Sequence, residues 1–218
     1  MIPTTRIGSP DASALLPRIR GERFAVLVGS AASIWEPSAI LPGQQVSQAL
    51  AKIILNGIDD PDDLLASLVQ STAFEHLMLR HPRPERWLRE TIAATIAPAK
   101  PNPVHFAIAE LLGGVFSGVI TTNYDACIER AARSRGNAIH VVVSKTDYCL
   151  GESKRIDLLK IHGCAERPST MVVTLMDEAS LAPWKRTALS KMLSSGKLLV
   201  IGYSGLDFEL CPELAERV

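Results

Sequence analysis

Four short apolar runs in this chain stop abruptly at small or polar residues, and that pattern governs what it can fold into. The runs cover residues 23–28, 118–122, 158–161 and 197–201. The first of them is continuously apolar rather than alternating, which suits a strand of a parallel sheet buried on both faces. Two further strands are expected at 138–144 and 171–174. Helical patterns separate the runs. Val46, Leu50, Ile53 and Ile54 fall at helical spacing before Gly57, which fits a C-cap. Residues 60–98 carry helical signal only, broken at Pro82 and Pro84, with a second helix over 87–96. Pro103 opens another helix that ends at Gly113 and Gly114, and further helices are expected at 124–133 and 181–195. Alternating strands and helices predict an α/β protein with a Rossmann-like, doubly wound, mostly parallel sheet. The long helical stretch reads as a lobe, about 44–100, inserted into a domain spanning 23–218. Residues 1–22 read as a partly disordered N-terminal arm.

A chain of 218 residues with 47% apolar residues can bury a core without disulfides or metal. Its 23 basic and 23 acidic residues balance to zero, which argues against a general nucleic-acid binder with a basic stripe. Aromatics at 5% also disfavour stacking platforms for single strands. No apolar run reaches the roughly 18 residues of a membrane span, and the first residues lack the apolar centre of a secretory signal. Cys127, Cys149, Cys164 and Cys211 are scattered, with no metal-ligand spacing. They read as reduced, structural cysteines of a cytoplasmic protein.

In a doubly wound sheet, ligands sit beyond the carboxyl ends of the strands. The polar ends of the four runs are therefore the candidate site. Gly29, Ser30, Ala31, Ala32 and Ser33 are all small, so backbone N–H groups there can approach a phosphate. The turn is neither a G-x-G-x-x-G fingerprint nor a P-loop. Thr121, Thr122, Asn123, Tyr124 and Asp125 lie where a strand meets a helix. Helix capping accounts for Asn123 or Asp125, but not for the threonines as well. His162 precedes Gly163 at a strand end, where a group titrating near neutrality can act as a general base. The other histidines, His76, His81, His105 and His140, read as surface or core positions. Gly202 and Ser204 admit close approach of a nucleotide, and Asp207 can accept from a hydroxyl.

Taken together, these motifs resemble the sirtuin-like NAD-binding domain, and most closely its bacterial branch found in defence proteins against phage. The likeness rests on Gly29-Ser-Ala-Ala-Ser33, on Ile120 to Asp125 followed by Glu129, on Lys160-Ile-His-Gly163 with Val172-Val-Thr174, and on Gly202-Tyr-Ser204 with Asp207. They occur in the family's order over residues 24–208. The resemblance implies NAD as substrate and cleavage of its nicotinamide–ribose bond. It implies that Asn123 orients the ribose or a water and that His162 is the general base. Gly29, Ser30, Ala31, Ser33, Thr122, Asp125, Gly202, Ser204 and Asp207 would bind NAD or ADP-ribose. No metal is implied. The chain departs from the family at Ala31, where a second glycine is usual. A methyl group there either crowds the pyrophosphate or denies the backbone a positive φ. It also lacks the paired Cys-x-x-Cys zinc module of deacylase sirtuins, which disfavours deacylation. The resemblance further implies a partner protein, a homo-oligomer or an additional C-terminal domain. Two alternatives to hydrolysis stand beside it: a catalytically silent NAD or ADP-ribose-binding module, and ADP-ribosyl transfer.

Overall fold

The computed structural model describes residues 21–41, 45, 85–150, 155–174, 181–195, 197–205 and 210–215. The expected helix over 44–56, most of the helical lobe and the N-terminal arm lie outside the described residues, as does Asp207.

Five parallel strands form one sheet in the order β3-β4-β2-β1-β5. They are β1 (Phe24–Val28), β2 (Phe116–Thr121), β3 (Val141–Val142), β4 (Leu158–Lys160) and β5 (Leu198–Ile201). Each of the four abrupt apolar runs supplies one strand. β1 pairs with β2 on one side and with β5 on the other. β4 pairs with both β2 and β3. Among the described residues the helices are α1 (Glu85–Ile96), α2 (Pro103–Leu111), α3 (Cys127–Ser134), α4 (Lys145–Leu150), α5 (Pro183–Met192) and α6 (Leu210–Ala215). This is the α/β, Rossmann-like arrangement expected from the sequence.

Period-two alternation along the strands divides the core between the two faces. Leu27, Ile120 and Leu159 pack on one face with Leu181, Leu189 and Met192 at α5. Val26, Val28, Val119 and Leu158 pack on the other with Ile108 of α2 and Ile128 of α3. Central strands covered on both faces are mostly apolar, which is why their sequences read as apolar runs rather than alternating ones. β5 is an edge strand and only half-buried, with Val200 50% exposed.

Three expectations are corrected. Residues 171–174 form no strand. The chain reverses at Gly163 (φ +87), passes through a short 3-10 helix at Pro168–Thr170, and folds back so that Val172 N–H donates to the His162 carbonyl at 2.9 Å. The strand expected over 138–144 is only Val141–Val142, because the chain turns into α4 at Ser144. The helix expected from 124 begins at Cys127, because the Asp125 side chain takes the Cys127 N–H at 3.0 Å. Among the described residues, no helix is long and apolar enough to cross a membrane.

Candidate functional site

β1 lies between β2, which follows it in the sheet's first half, and β5, which is reached only after the chain has crossed back. The reversal of strand order puts a crevice at the carboxyl ends of these strands. Three of the four polar clusters converge there.

The turn after β1 is a 3-10 helix, Ser30–Ser33. It is interlocked with the end of β5. Gly29 N–H donates to the Ile201 carbonyl (2.9 Å), and Ala31 N–H to the Gly202 carbonyl (3.1 Å). A Cβ on Gly29 would lie 2.5 Å from the Gly202 oxygen, and one on Gly202 (φ +63) 2.7 Å from the Ala32 nitrogen. Both glycines are thus required by backbone approach between two strand ends, whatever ligand is bound. Ala32 N–H is also occupied, by the Gly29 carbonyl at 3.1 Å. An anion would therefore meet the exposed Ser30 rather than an open cradle of amides. Ala31 lies in the 3-10 turn and is not at positive φ, so its backbone does not need the glycine usual there.

Ser33 is buried, 1% exposed, and is the hub of the site. Its Oγ lies 2.9 Å from Asp125 Oδ2, 3.1 Å from His105 Nε2 and 3.2 Å from Asn123 Nδ2. Asn123 Nδ2 also donates to the Gly29 carbonyl at 3.1 Å. The Asn123 backbone is held by β2, its N–H donating to Thr121 Oγ1 (3.1 Å), which in turn donates to the Val28 carbonyl (2.8 Å). With the amide nitrogen engaged twice, Asn123 Oδ1 is left buried and without a partner among the described residues. Thr122 is half-buried beside it, its N–H reaching the Val28 carbonyl at 3.4 Å.

Asp125 is engaged at both oxygens, by Ser33 and by the Cys127 N–H. Burial alone would push its pKa up. Lys160, the Cys127 N–H, His105 and Ser33 outweigh burial and hold it below the usual carboxylate range, so it is ionised. Its place is beneath Asn123, acting through Ser33. Lys160 is fully buried; its Nζ donates to the Asp125 carbonyl and to Glu129 Oε1 (3.1 Å). Burial would depress this ammonium, but Glu129, with Cys164 and Asp125, keeps its pKa above the ordinary value. Lys160 and Glu129 thereby tie β4 to the start of α3.

His162 follows Lys160 and is buried, 8% exposed. Tyr124 joins it to the Asn123 segment. The two rings lie 6.3 Å apart at 38°, and the Tyr124 hydroxyl donates to the Val172 carbonyl. Gly163 is forced by the reversal after His162, since a Cβ there would fall 2.1 Å from the Thr170 oxygen. Ser204 and Gly202 are exposed at the β5 end.

Sequence reasoning missed two residues. His105 is not merely core; it is fully buried within the site. Asn102 caps α2, accepting from Val104 N–H (3.0 Å) and His105 N–H (3.4 Å), and donates to the Ala32 carbonyl (2.8 Å). The signal was present as Asn102-Pro103, a capping residue before a proline at the first helical position. Potential metal-ligating atoms of His105, Asp125 and Cys127 lie within 4.8 Å of one another. Hydrogen bonds already account for this grouping. Burial and Asp125 push the Cys127 thiol up to about 12, so it stays protonated.

A cavity of about 640 Å³ lies elsewhere, between α3, β3 and the loop at 164–167. Its wall includes Arg133, Val141, Cys164 and Arg167, and none of the strand-end residues Gly29 to Ser33, Asn123 or His162.

No curated protein matches the chain. Residues 117–214 match the family of the SIR2-like domain. That match includes all of β2 but its first residue, with Asn123, Asp125, Lys160, His162 and Gly202. The turn at 29–33 and the cap of α2 precede it, yet the turn bonds Asn123 and Asp125 directly, and the cap joins the turn through the Ala32 carbonyl and, by way of His105, Ser33. Over those residues the chain is similar to a SIR2-like domain, with the shared motifs placed along a parallel, Rossmann-like sheet.

Proposed function

We propose that the chain hydrolyses NAD at the nicotinamide–ribose bond. The observation that carries this reading is Asn123: a half-buried side chain, anchored through its amide nitrogen, with its buried oxygen unpartnered among the described residues at the carboxyl end of β2. A buried acceptor without a partner is costly unless something else supplies the donor. A ribose hydroxyl or an attacking water would do so.

In the reaction, water attacks C1′ of the ribose while the bond to the nicotinamide nitrogen breaks. That nitrogen leaves neutral, having taken the bond's electron pair. The attacking water gives up one proton, and the products are ADP-ribose, nicotinamide and that proton. The transition state is oxocarbenium-like, as in glycoside hydrolysis. Asn123 Oδ1 orients the water or the ribose, and His162 accepts the proton. General-base assistance of this kind contributes roughly 10²–10⁴-fold. Asp125 stabilises the positive charge only at a distance, since both its oxygens are held by the protein.

The test is nicotinamide release from NAD by the purified chain, with Asn123→Ala and His162→Ala beside it. Release by the parent chain that falls by about 10²-fold or more in each variant is expected. Release unaffected by either change would remove the pair from the mechanism. Free ADP-ribose as product supports hydrolysis; ADP-ribose recovered on an acceptor would make the enzyme a transferase. A role in defence against phage follows from the motif likeness alone. Protection of phage-challenged cells by the parent gene and not by Asn123→Ala is the outcome it requires.

A further inference from the structure

We propose that His105 is a positioning residue that, through Ser33, fixes which way the Asn123 amide faces. The inference rests on the role given to Asn123 above, and it follows from proton accounting at one hydroxyl.

Ser33 Oγ carries one proton and can accept two. It faces three partners: Asp125 Oδ2, His105 Nε2 and Asn123 Nδ2. The ionised Asp125 carboxylate only accepts, so the single Ser33 proton goes there. The other two partners must then donate. His105 meets this requirement because its Nδ1 is already taken, accepting the Asn102 N–H at 3.1 Å. A neutral imidazole that accepts at Nδ1 carries its proton on Nε2. His105 faces the charged groups Asp125 and Lys160. Burial is the largest influence and holds its pKa below the ordinary value, so the neutral form prevails near neutrality. The last lone pair of Ser33 is thereby open only to a donor, which selects NH2 rather than C=O from Asn123. The Gly29 carbonyl makes the same demand on the same group. The capping box of α2 thus sets an imidazole tautomer, the tautomer sets a hydroxyl, and the hydroxyl helps aim Asn123 Oδ1.

Glutamine can present a side-chain N–H near the place of an imidazole Nε2–H; leucine fills the space without a donor. The experiment compares His105→Gln and His105→Leu in the full chain, with thermal unfolding recorded for each. The expected result is a fall in kcat of about tenfold or more for the leucine variant, with KM for NAD within about twofold, and recovery of most of that loss by glutamine. Equal losses in the two variants, or no loss in either, would overturn the proposal. Nitrogen NMR of the parent chain gives a reading independent of turnover. The His105 ring must show a protonated Nε2 and a bare Nδ1, and the Asn123 side-chain NH2 must exchange more slowly in the parent than in the leucine variant. A protonated Nδ1, or Asn123 exchange unchanged in that variant, would overturn it. If the leucine variant does not fold, the parent ring spectrum and the glutamine variant still decide. If the parent chain releases no nicotinamide, the hydrolase reading fails and the NMR outcome alone judges His105.

Discussion

At the scale of single residues, the site is built by backbone that comes too close for a side chain. Gly163 shows this most severely. Its φ of +87 lies in the left-handed region, and an added Cβ would fall 2.1 Å from the Thr170 carbonyl oxygen. Strain at such a φ costs about 1–3 kcal/mol, and overpacking a similar amount. Gly163→Ala is therefore expected to lose about 3 kcal/mol in denaturant unfolding and to displace His162, whose carbonyl receives Val172 N–H. A loss under about 1 kcal/mol would mean that the 163–170 reversal is looser than described. Gly29, Asn123, Asp125 and His162 were legible in the sequence because each follows an apolar strand, and polar strand ends are where such sheets bind. His105 was not legible. A histidine on an apolar helix face is usually just packed, and only the fold shows that its ring meets Ser33, 72 positions earlier.

Between elements, the joint that matters most is the Lys160–Glu129 pair. It couples the strand that ends in His162 to the helix that follows Asn123 and Asp125. The lysine side chain is 1% exposed and the glutamate 11%. Removing one partner of a buried pair leaves the other charge uncompensated, which costs about 3–5 kcal/mol, whereas replacing both with apolar groups is often near neutral. Lys160→Met alone should therefore lose several kcal/mol, about 3 or more. Lys160→Met with Glu129→Leu should recover much of it. Measured by urea unfolding, a double variant no better than the single would show that the Lys160 bond to the Asp125 carbonyl, not the ion pair, is what β4 relies on. Sequence reading served strands well and their ends less well. Strand β3 was overextended because apolar residues at 138–144 look the same whether or not a partner strand continues beside them. Helix α4 went unread although its signal was local. Ser144 and Asp147 form reciprocal side-chain bonds to each other's N–H, at 3.3 and 2.8 Å, as a capping box requires. Residues 171–174 are as apolar as a strand, but Met171 and Val173 are buried against Ala93 of α1 and Ala165 rather than by pairing in the sheet.

Across the whole molecule, one hydrogen-bonded cluster links β1, α2, β2, α3 and β4, and it concentrates four buried titratable groups whose pKa values folding moves. The pH dependence of stability follows from their directions. His105 is held below its ordinary value near 6.5, so the unfolded chain binds its proton first as pH falls. Its contribution is complete above about 6.5 and is lost as pH drops from there towards the folded pKa. Asp125 is held below its ordinary value of 3.8, so its contribution is complete above that and fades only in stronger acid. Lys160 is held above 10.5, so its contribution is complete below that value and fades as pH rises through the higher folded pKa. The Cys127 thiol is held above its ordinary value of 9.0, so the folded chain keeps a proton that the unfolded chain releases above that value. The cluster therefore favours a stability plateau from about pH 6.5 to about pH 9, with different causes at its two edges. Of the four groups, His105 acts at the first acidic step, and a variant isolates its share. In urea unfolding at a series of pH values between about 5 and 8, the parent chain should lose stability below about 6.5 more steeply than His105→Gln, which has no proton to take up there. The two curves should run parallel above that point, because everything else that titrates is shared. Curves parallel throughout would place the His105 pKa at its ordinary value in the folded protein. That result would mean the imidazole is neither desolvated nor held neutral by the cap of α2, and the cluster would then offer Ser33 no fixed donor from that side.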